Sequence, residues 1–571
     1  MQPTPSLRPP TAAELFTPKL VTVLREGYGA AALRADAVAG LTVAIVALPL
    51  SMAIAIASHA PPQAGLFTAI VGGFLISALG GSRYQVGGPA GAFIVLVASI
   101  VDRHGFDGLL LATLMAGVVI FAVGALQLGT YIKYVPHPVT VGFTSGIAVI
   151  IFASQIKELL GLSLPGAEPA ALLPKLQALW AAMPSVNAEA AALALSSIAI
   201  IVGLRKWRPH WPGFLIAISV AALAAYVLRL DVQTIASRFG GIPRLLPAPA
   251  LPPASFEKIG ALLPDALALA LLGSIESLLS AVVADSMSGR RHRSNCELVA
   301  QGIANIACAI FGGIVATGTI ARTATNVRAG AHGPVSGMLH AAFILLFMLV
   351  AAPLAGFIPL AALAAILAVV AWNMAERAEF KSLLTSSRGD AAVLLVTFGL
   401  TVFRDLTTGI VTGVTLGCLL FMHRMAQAIE VQTHHGAFIA EDRADGTSTA
   451  FDSKYAANPD ILIHRISGAF FFGAASTVAA ILESIGDPPK AFILDFSQVP
   501  FVDYSAAHSL RSFIRKAAKH DSQVYLTGAP ASVRRDLIRF GIKKPLVSYG
   551  HTIDDCIRAV RHGHEIDQPA E

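Results

Sequence analysis

The chain has 571 residues, a formal net charge of +6, 55% hydrophobic and only 13% charged residues, and a mean hydropathy of +0.67. A soluble globular protein carries roughly 25% charged residues, so an ordinary soluble enzyme or binding domain is excluded for most of the length. The basic excess does not indicate nucleic acid either, because no basic run is long enough to track a phosphate backbone.

Charges are sparse from about Gly40 to Met425 and return from about Gln432 onward, which divides the chain into two regions of different class. The first 35 or so residues hold Pro, Glu, Arg and Lys with no apolar h-region. No cleavable leader is expected there, and the N-terminus is expected in the cytoplasm. Crossing a bilayer as a helix takes about 20 mainly apolar residues. In chain order the segments that qualify are roughly 38–58, 63–81, 88–101, 108–128, 138–156, 187–204, 212–229, 262–286, 296–312, 318–328, 334–352, 357–373, 389–404 and 407–425. These make about fourteen, an even number that puts both ends on one side.

The loops carry the expected asymmetry. Alternate connections hold Lys133, Arg205-Lys206-Trp207-Arg208, Arg290-Arg291-His292-Arg293, Lys381 with Arg388, and Arg424. The intervening Gly166–Pro184 and Asp231–Phe256 are longer, Pro-rich and less basic. The positive-inside bias then places both termini in the cytoplasm of a multi-pass protein of the cell inner (plasma) membrane. Cys296, Cys308, Cys418 and Cys556 show no C-x-x-C pair or disulfide spacing, and the first three are expected as buried free thiols in apolar segments.

Two segments, the third and the tenth, are short and open on glycine: Gly87-Gly88-Pro89-Ala90-Gly91, and Gly312-Gly313 followed by Thr317-Gly318-Thr319. Irregular backbone at membrane depth is tolerated where it lines a cavity. Each break sits third in a run of about seven segments, the arrangement of an inverted-repeat transporter with its binding site at the breaks. The competing reading is that these glycines only let helices pack closely. The expected fold class is therefore an α-helical polytopic membrane protein of about 14 segments in a 7+7 inverted repeat.

Beyond a polar linker the pattern changes. Ile461–Ile466, Phe470–Phe472, Phe492–Phe496 and Val524–Thr527 read as strands, and Ala475–Ile485, Ser505–Lys519 and Pro530–Phe540 as helices. That alternation predicts a small α/β sandwich with a largely parallel sheet. The domain reading is a cytoplasmic segment over 1–35, a transmembrane domain over 36–427, a linker over 428–458 and an α/β domain over 459–565.

No phosphate loop, no metal-ligand cluster and no nucleophile–base pair appears, so neither an enzyme nor a cofactor or metal is expected. A charge at the bilayer centre costs about 2.5–3.5 kcal/mol on insertion scales, which makes intramembrane ionisable residues functional candidates. Glu276 lies mid-segment in Gly273-Ser274-Ile275-Glu276-Ser277, with Ser280 on the same helical face at i+4. The carboxylate can bind a coupling cation or a proton, or can simply hold two helices together by hydrogen bonds. Arg322 follows the tenth-segment break, where it can supply positive potential to an anion or snorkel to the interface. Asp285 and the Arg404–Asp405 pair sit near segment ends, where solvated or ion-paired roles are expected. Two helix N-termini facing each other at mid-membrane make an anion site without a fixed cation. Each dipole is worth at most about 2 kcal/mol, so a water-filled site of modest affinity is expected.

The chain resembles the SulP anion permeases, the family that includes prestin and pendrin, from about Leu33 to Val560. The resemblance is carried by Asp36-Ala37-Val38-Ala39-Gly40-Leu41-Thr42-Val43 with Leu48-Pro49, by Pro61-Pro62-Gln63-Ala64-Gly65-Leu66-Phe67, and by Gly87-Gly88-Pro89. It continues through Glu297-Leu298-Val299-Ala300-Gln301-Gly302-Ile303-Ala304-Asn305 to Arg322-Thr323-Ala324-Thr325-Asn326-Val327. The C-terminal part is similar to STAS domains, through Ile493-Leu494-Asp495-Phe496-Ser497-Gln498-Val499-Pro500-Phe501-Val502-Asp503-Tyr504-Ser505. In related anti-sigma-factor antagonists the serine matching Ser505 accepts phosphate; here the family glycine after it is Ala506, and N-capping is the plainer role.

The resemblance implies mobile core and gate domains, homodimers, and an anion held between the third and tenth helices beside the eighth. It nominates Pro89, Ala90, Gly91, Gly318, Thr319 and Arg322 for the anion, and Glu276 and Ser280 for the coupling cation. Bacterial members are proton- or sodium-coupled symporters of sulfate, bicarbonate or dicarboxylates. Ile320 stands where sodium-coupled relatives carry a hydroxyl, which favours H+ over Na+. The leading expectation is proton-coupled, elevator-like sulfate uptake across the lipid bilayer, with bicarbonate next. Its rivals are an uncoupled channel or exchanger, an anion sensor whose STAS domain binds a cytoplasmic protein, and, further behind, a nucleobase permease.

Overall fold

The computed structural model describes residues 11–132, 136–166, 168–169, 171–208, 211–427, 430–435, 460–472 and 489–562. Lys133, most of the expected linker and the expected helix over 475–485 lie outside them. The chain forms two compact units, Met1–Val414 and Thr415–Glu571.

In the first unit every apolar segment read from the sequence carries a helix. These are α1 (Ala30–Ala57) and α2 (Pro62–Leu79), then Ile94–Ala125, which is broken at Gly105 (φ 69°) into α3 over 91–104 and α4 over 106–125. After them come α5 (His137–Leu160), α6 (Ala188–Trp207), α7 (Gly213–Val227), α8 (Phe256–Ser288), α9 (Ser294–Ile310) and α10 (Ile320–Arg328). The last four are α11 (Val335–Ala355), α12 (Leu360–Met374), α13 (Arg388–Phe403) and α14 (Leu406–Gln427), the final one running across the division between the units. Among the described residues nine helical stretches are long and apolar enough to cross a membrane.

Lipid cannot satisfy backbone N–H and C=O groups, so the spans close their bonds internally and pack through small residues. One close approach of this kind is between α4 and α9. A Cβ on Gly302 would lie 2.5 Å from the Phe121 backbone nitrogen, and one on Gly117 would lie 2.8 Å from that of Ile306. Across α5 and α13, a Cβ on Gly142 would come 2.7 Å from the Leu394 carbonyl oxygen.

Several buried charges act as latches. Asp36 is fully buried near the start of α1, where it accepts hydrogen bonds from the His332 and Gly333 amides (2.6 and 3.0 Å) and the Tyr28 hydroxyl (2.7 Å). These bonds tie α1 to the α10–α11 turn. Burial, reinforced by that hydrogen bond, raises the Tyr28 phenol above its ordinary range. Glu297 on α9 accepts from the Ser82 amide and from Gln301. At the segment ends Asp285 pairs with His292 at 2.7 Å, and Asp405 caps the Thr408 amide, as expected of end-of-segment charges.

The second unit is a five-stranded sheet in the order β3 (Glu430–His435), β4 (Ile461–Ser467), β5 (Ala491–Gln498), β6 (Gln523–Thr527), β7 (Ser548–Gly550). Only β3 runs antiparallel; it falls within the span read as linker and pairs with β4 in register from Glu430↔Ser467 to His435↔Leu462. Period-two alternation splits the sheet's apolar residues. Leu462, Phe492 and Leu494 face α15 (Tyr504–Lys519) and α16 (Ala531–Arg539), while Ile461, Ile463 and Ile493 face α17 (Ile553–His562). Phe470–Phe472 is not a full strand, for only an isolated bridge joins Phe470 to Val502.

All four cysteines are free thiols. Cys418 corrects the expectation of burial: it is exposed, because α14 turns Gly413 and Gly417 inward instead. Burial pushes the Cys556 thiol up to about 12, so it is unreactive near neutral pH.

The α4–α9 contact yields a test. Gly302→Val should abolish monodisperse, detergent-stable protein in fluorescence-detected size exclusion, since backbone stands where the side chain must go. Gly399→Ala on α13, where an added Cβ meets nothing within 4 Å, should behave as wild type.

Candidate functional site

The site begins where two helices stop. Before α3 the chain runs extended as β1 (Gly87–Gly88), and before α10 as β2 (Thr317–Gly318); the two pair antiparallel, Gly87 with Gly318 and Gly88 with Thr317. Gly88 adopts φ +152°, and a Cβ there would overlap the Arg322 guanidinium, so glycine is required on both counts. The Thr319 amide donates to the Val86 carbonyl at 3.2 Å, and the Val86 amide to the Thr323 hydroxyl at 3.2 Å.

Ala90 and Thr319 are the N-cap residues of the turn Gly91–Phe93 opening α3 and of α10. Neither side chain caps its helix, which leaves first-turn amides available to an anion. Across from α3, a Cβ on Gly91 would meet Met374 Sδ of α12 at 3.4 Å and Ile151 Cδ1 of α5 at 3.7 Å. Pro89 contributes its carbonyl oxygen, which accepts from Arg322 Nη2 at 3.2 Å.

Helix α8 lies along the pair of breaks with one face, Gly273, Glu276, Ser277 and Ser280, the i, i+3, i+4, i+7 spacing of a helical stripe. Thr317 donates to the Gly273 carbonyl (3.1 Å), Gln85 to the Ser277 hydroxyl (3.0 Å) and Ser280 to the Thr323 hydroxyl (3.0 Å). Glu276 stands among them, only 8% exposed, with no hydrogen-bond partner among the described residues. The reading of Glu276 as a hydrogen-bonded helix clamp therefore has no bond to rest on.

Arg322 is 2% exposed, so it does not snorkel. Its guanidinium donates to the Ser51 hydroxyl at 3.1 Å, the Pro89 carbonyl at 3.2 Å and the Gly87 carbonyl at 3.4 Å. These acceptors are all neutral, and no carboxylate pairs with it among the described residues. Arg322, nominated for the anion, thus stands directly behind the β1 break.

The structure accordingly gathers Pro89, Ala90, Gly91, Gly318, Thr319, Arg322, Glu276 and Ser280 around the two breaks. Sequence reasoning missed Ser51, Gln85, Thr323 and Asn305, whose amide grips Ala316 at both its N–H (2.8 Å) and C=O (2.9 Å). It also missed His340 on α11, fully buried with neither ring nitrogen hydrogen-bonded among the described residues. Ser51, Asn305 and His340 are polar side chains inside apolar runs, which was the available signal; Gln85 and Thr323 stand among polar neighbours and carried none.

Ser505 belongs to the second unit. It is exposed at the second position of α15 and is not the N-cap: Asp503 holds that position and accepts from the Ala506 amide at 2.8 Å.

Residues 33–397 match the model of the Sulfate permease family, and residues 453–555 match the STAS domain. The chain belongs to the sulfate permease family. Among its relatives is YvdB of Bacillus subtilis, which carries a provisional sulfate-transporter name; it is 39% identical over 90% of this chain and 95% of its own. The bicarbonate transporter BicA of Picosynechococcus sp. is 31% identical over 90% and 91% of the two chains. The same fold is seen in murine Solute Carrier 26 family member A9, with a TM-score of 0.83 over 98% of this chain and 96% of that one, at 19% identity. In this member of the family the fold is thus a helical membrane domain followed by a STAS domain.

The Arg322 fork predicts a strict requirement. Both Arg322→Gln and Arg322→Lys should cut anion uptake roughly tenfold or more, the worth of one or two charge-assisted hydrogen bonds. A lysine ammonium cannot reach three acceptors in the plane a guanidinium spans. Wild-type uptake by Arg322→Lys in proteoliposomes would mean that charge alone suffices.

Proposed function

We propose that this member of the family takes up an inorganic anion, sulfate first, by proton symport through Glu276 in an elevator-like motion. The chain is an anion transporter of the sulfate permease family; the substrate and coupling are the further step. The observation that carries the reading is a buried carboxylate with no hydrogen-bond partner among the described residues, beside two helix N-termini without side-chain caps. An anion on those amides and a proton on Glu276 neutralise the site together, so each favours the other's presence. The positive end of each helix and Arg322 offer attraction from neutral and cationic groups, which suits release as well as capture.

Proton coupling is preferred over sodium on the donor set. A hard cation takes several oxygen ligands, whereas the Ser280 and Thr323 hydroxyls are bonded to each other and Ile320 offers none. Sulfate is favoured by the name of YvdB, and bicarbonate is the second reading on the strength of BicA. Dicarboxylates come next. Fourteen crossings in a 7+7 repeat, cytoplasmic termini, an inner-membrane location and a homodimer complete the proposal. So does a cytoplasmic protein partner for the STAS domain. The anion channel, exchanger and sensor readings leave Glu276 without a role.

The decisive experiment is uptake of radiolabelled sulfate and bicarbonate into proteoliposomes under imposed proton or sodium gradients. Wild type should concentrate sulfate when the outside is acid. Glu276→Gln, a permanent mimic of the protonated state, should lose that response while staying folded. Sodium-driven bicarbonate uptake would replace the proposal with the second reading.

Ser505 is proposed as a phosphate acceptor, since an exposed hydroxyl in the first turn of α15 places a phosphate at the helix's positive end. Phosphopeptide mass spectrometry of protein from growing cells should find it; a stoichiometrically unmodified peptide would rule it out.

A further inference from the structure

An apolar groove of about 620 Å³ opens between α1, α7 and α11, with Leu48 and Met52 on one wall, Met348 beside them, and Ala222 and Tyr226 on the other. Phe357 closes one end, in edge-to-face contact with Tyr226 at 5.6 Å between ring centroids. A second cavity of about 570 Å³ continues from it, sharing Ala222, Tyr226 and Phe357, and its wall includes Arg229.

Three observations say what fills this space. The walls are membrane-spanning helices, so the medium at the groove is lipid. No carboxylate lines either cavity, and Arg229, just beyond the C-terminus of α7, has no acidic partner among the described residues. Tyr226, in the aromatic pair at the shared rim, is the type of side chain that marks the headgroup level of a bilayer. Arg229 also sits where a cation favours the helix dipole, and its exposed side chain has no hydrogen-bond partner among the described residues to occupy its five N–H donors.

We infer that this groove binds a single anionic phospholipid, one acyl chain lying between α1, α7 and α11 and the phosphate hydrogen-bonded to Arg229. The walls come from helices with different principal neighbours, since α11 packs chiefly on α1 whereas α7 packs chiefly on α6. A lipid there is a wedge at a seam between two helix groups. Its binding does not depend on the substrate or on the coupling proposed above. Its effect on rate rests on the elevator-like reading.

The test uses the full chain purified in mild detergent from membranes containing phosphatidylglycerol and phosphatidylethanolamine. Bound lipid is counted by native mass spectrometry. A single phospholipid should survive purification, with phosphatidylglycerol preferred by about fivefold, the effect of one basic side chain near an anionic headgroup. Arg229→Ala should keep a lipid but lose the preference, and Ala222→Trp should fill the groove and lose the lipid. Equal retention of the two headgroups by wild type, or unchanged occupancy in Ala222→Trp, would overturn the proposal. Should Ala222→Trp fail to fold, a photoactivatable acyl-chain phosphatidylglycerol on wild type gives the answer. Crosslinks in α1, α7 or α11 support the site, and crosslinks confined to other helices refute it.

Discussion

Two helices end inside the membrane, and every other feature of the transport domain answers to the backbone groups they expose. An unpaired N–H or C=O in hydrocarbon costs several kcal/mol, so an interrupted helix survives only if neighbours supply its missing bonds. Here the breaks satisfy each other first, through the Gly87–Gly318 and Gly88–Thr317 pairing. Asn305 then holds Ala316, the α8 backbone accepts from Thr317, and Arg322 takes up the carbonyls of Gly87 and Pro89. The groups left over are the first-turn amides of α3 and α10. The candidate anion site is the remainder of that accounting, which is why so few side chains compose it.

The same accounting separates structural charges from functional ones. Asp36 and Glu297 are as buried as any group in the molecule, but each accepts at least two hydrogen bonds. A carboxylate so satisfied adds to stability, because hydrogen bonds to a charged group are worth about 1.5–3 kcal/mol each. Glu276 makes none among the described residues, and Arg322 spends its charge on neutral oxygens. At about 2.5–3.5 kcal/mol for each intramembrane charge, the two together would take a substantial share of a net stability of about 5–15 kcal/mol. Arg322 recovers part of that cost by holding the Gly87 and Pro89 carbonyls, whereas Glu276 has no such return among the described residues and so points more clearly to function. A protonated Glu276 removes much of its share, which is consistent with the coupling role proposed for it.

Much of the fold was legible because lipid imposes a simple rule on sequence. Apolar runs of the right length became helices, and the two glycine-rich interruptions became the two breaks. What escaped was pairing across sequence distance. Ser51 meets Arg322, and Gln85 meets Ser277, over separations that no local pattern encodes. Asp36 and Asn305 were read as marks of a family, and only the structure shows them to be latches. Ser505 was misjudged as a cap for a local reason. Asp503, two residues earlier, is an equally good capping residue, and the choice between them is set by where the backbone turns helical. Strand β3 escaped because a short polar strand pairing at a sheet edge carries no hydrophobic alternation.

The contacts around the breaks also differ in kind on their two sides. Within α4–α9 and α5–α13, glycines bring backbone against backbone, and such surfaces have one register. Facing the start of α3 are the flexible ends of Met374 and Ile151, 3.4 and 3.7 Å from where a Cβ on Gly91 would lie. Among the described residues no hydrogen bond crosses that gap, so sliding it exchanges one set of dispersion contacts for another. Met in particular repacks at little cost. A carrier that moves its site past a static wall needs rigid seams within each helix group and a smooth one between them. That distribution of glycine and thioether supports the proposed elevator-like motion over a rocking of helices about the breaks, which would have to shear the α4–α9 backbone contact.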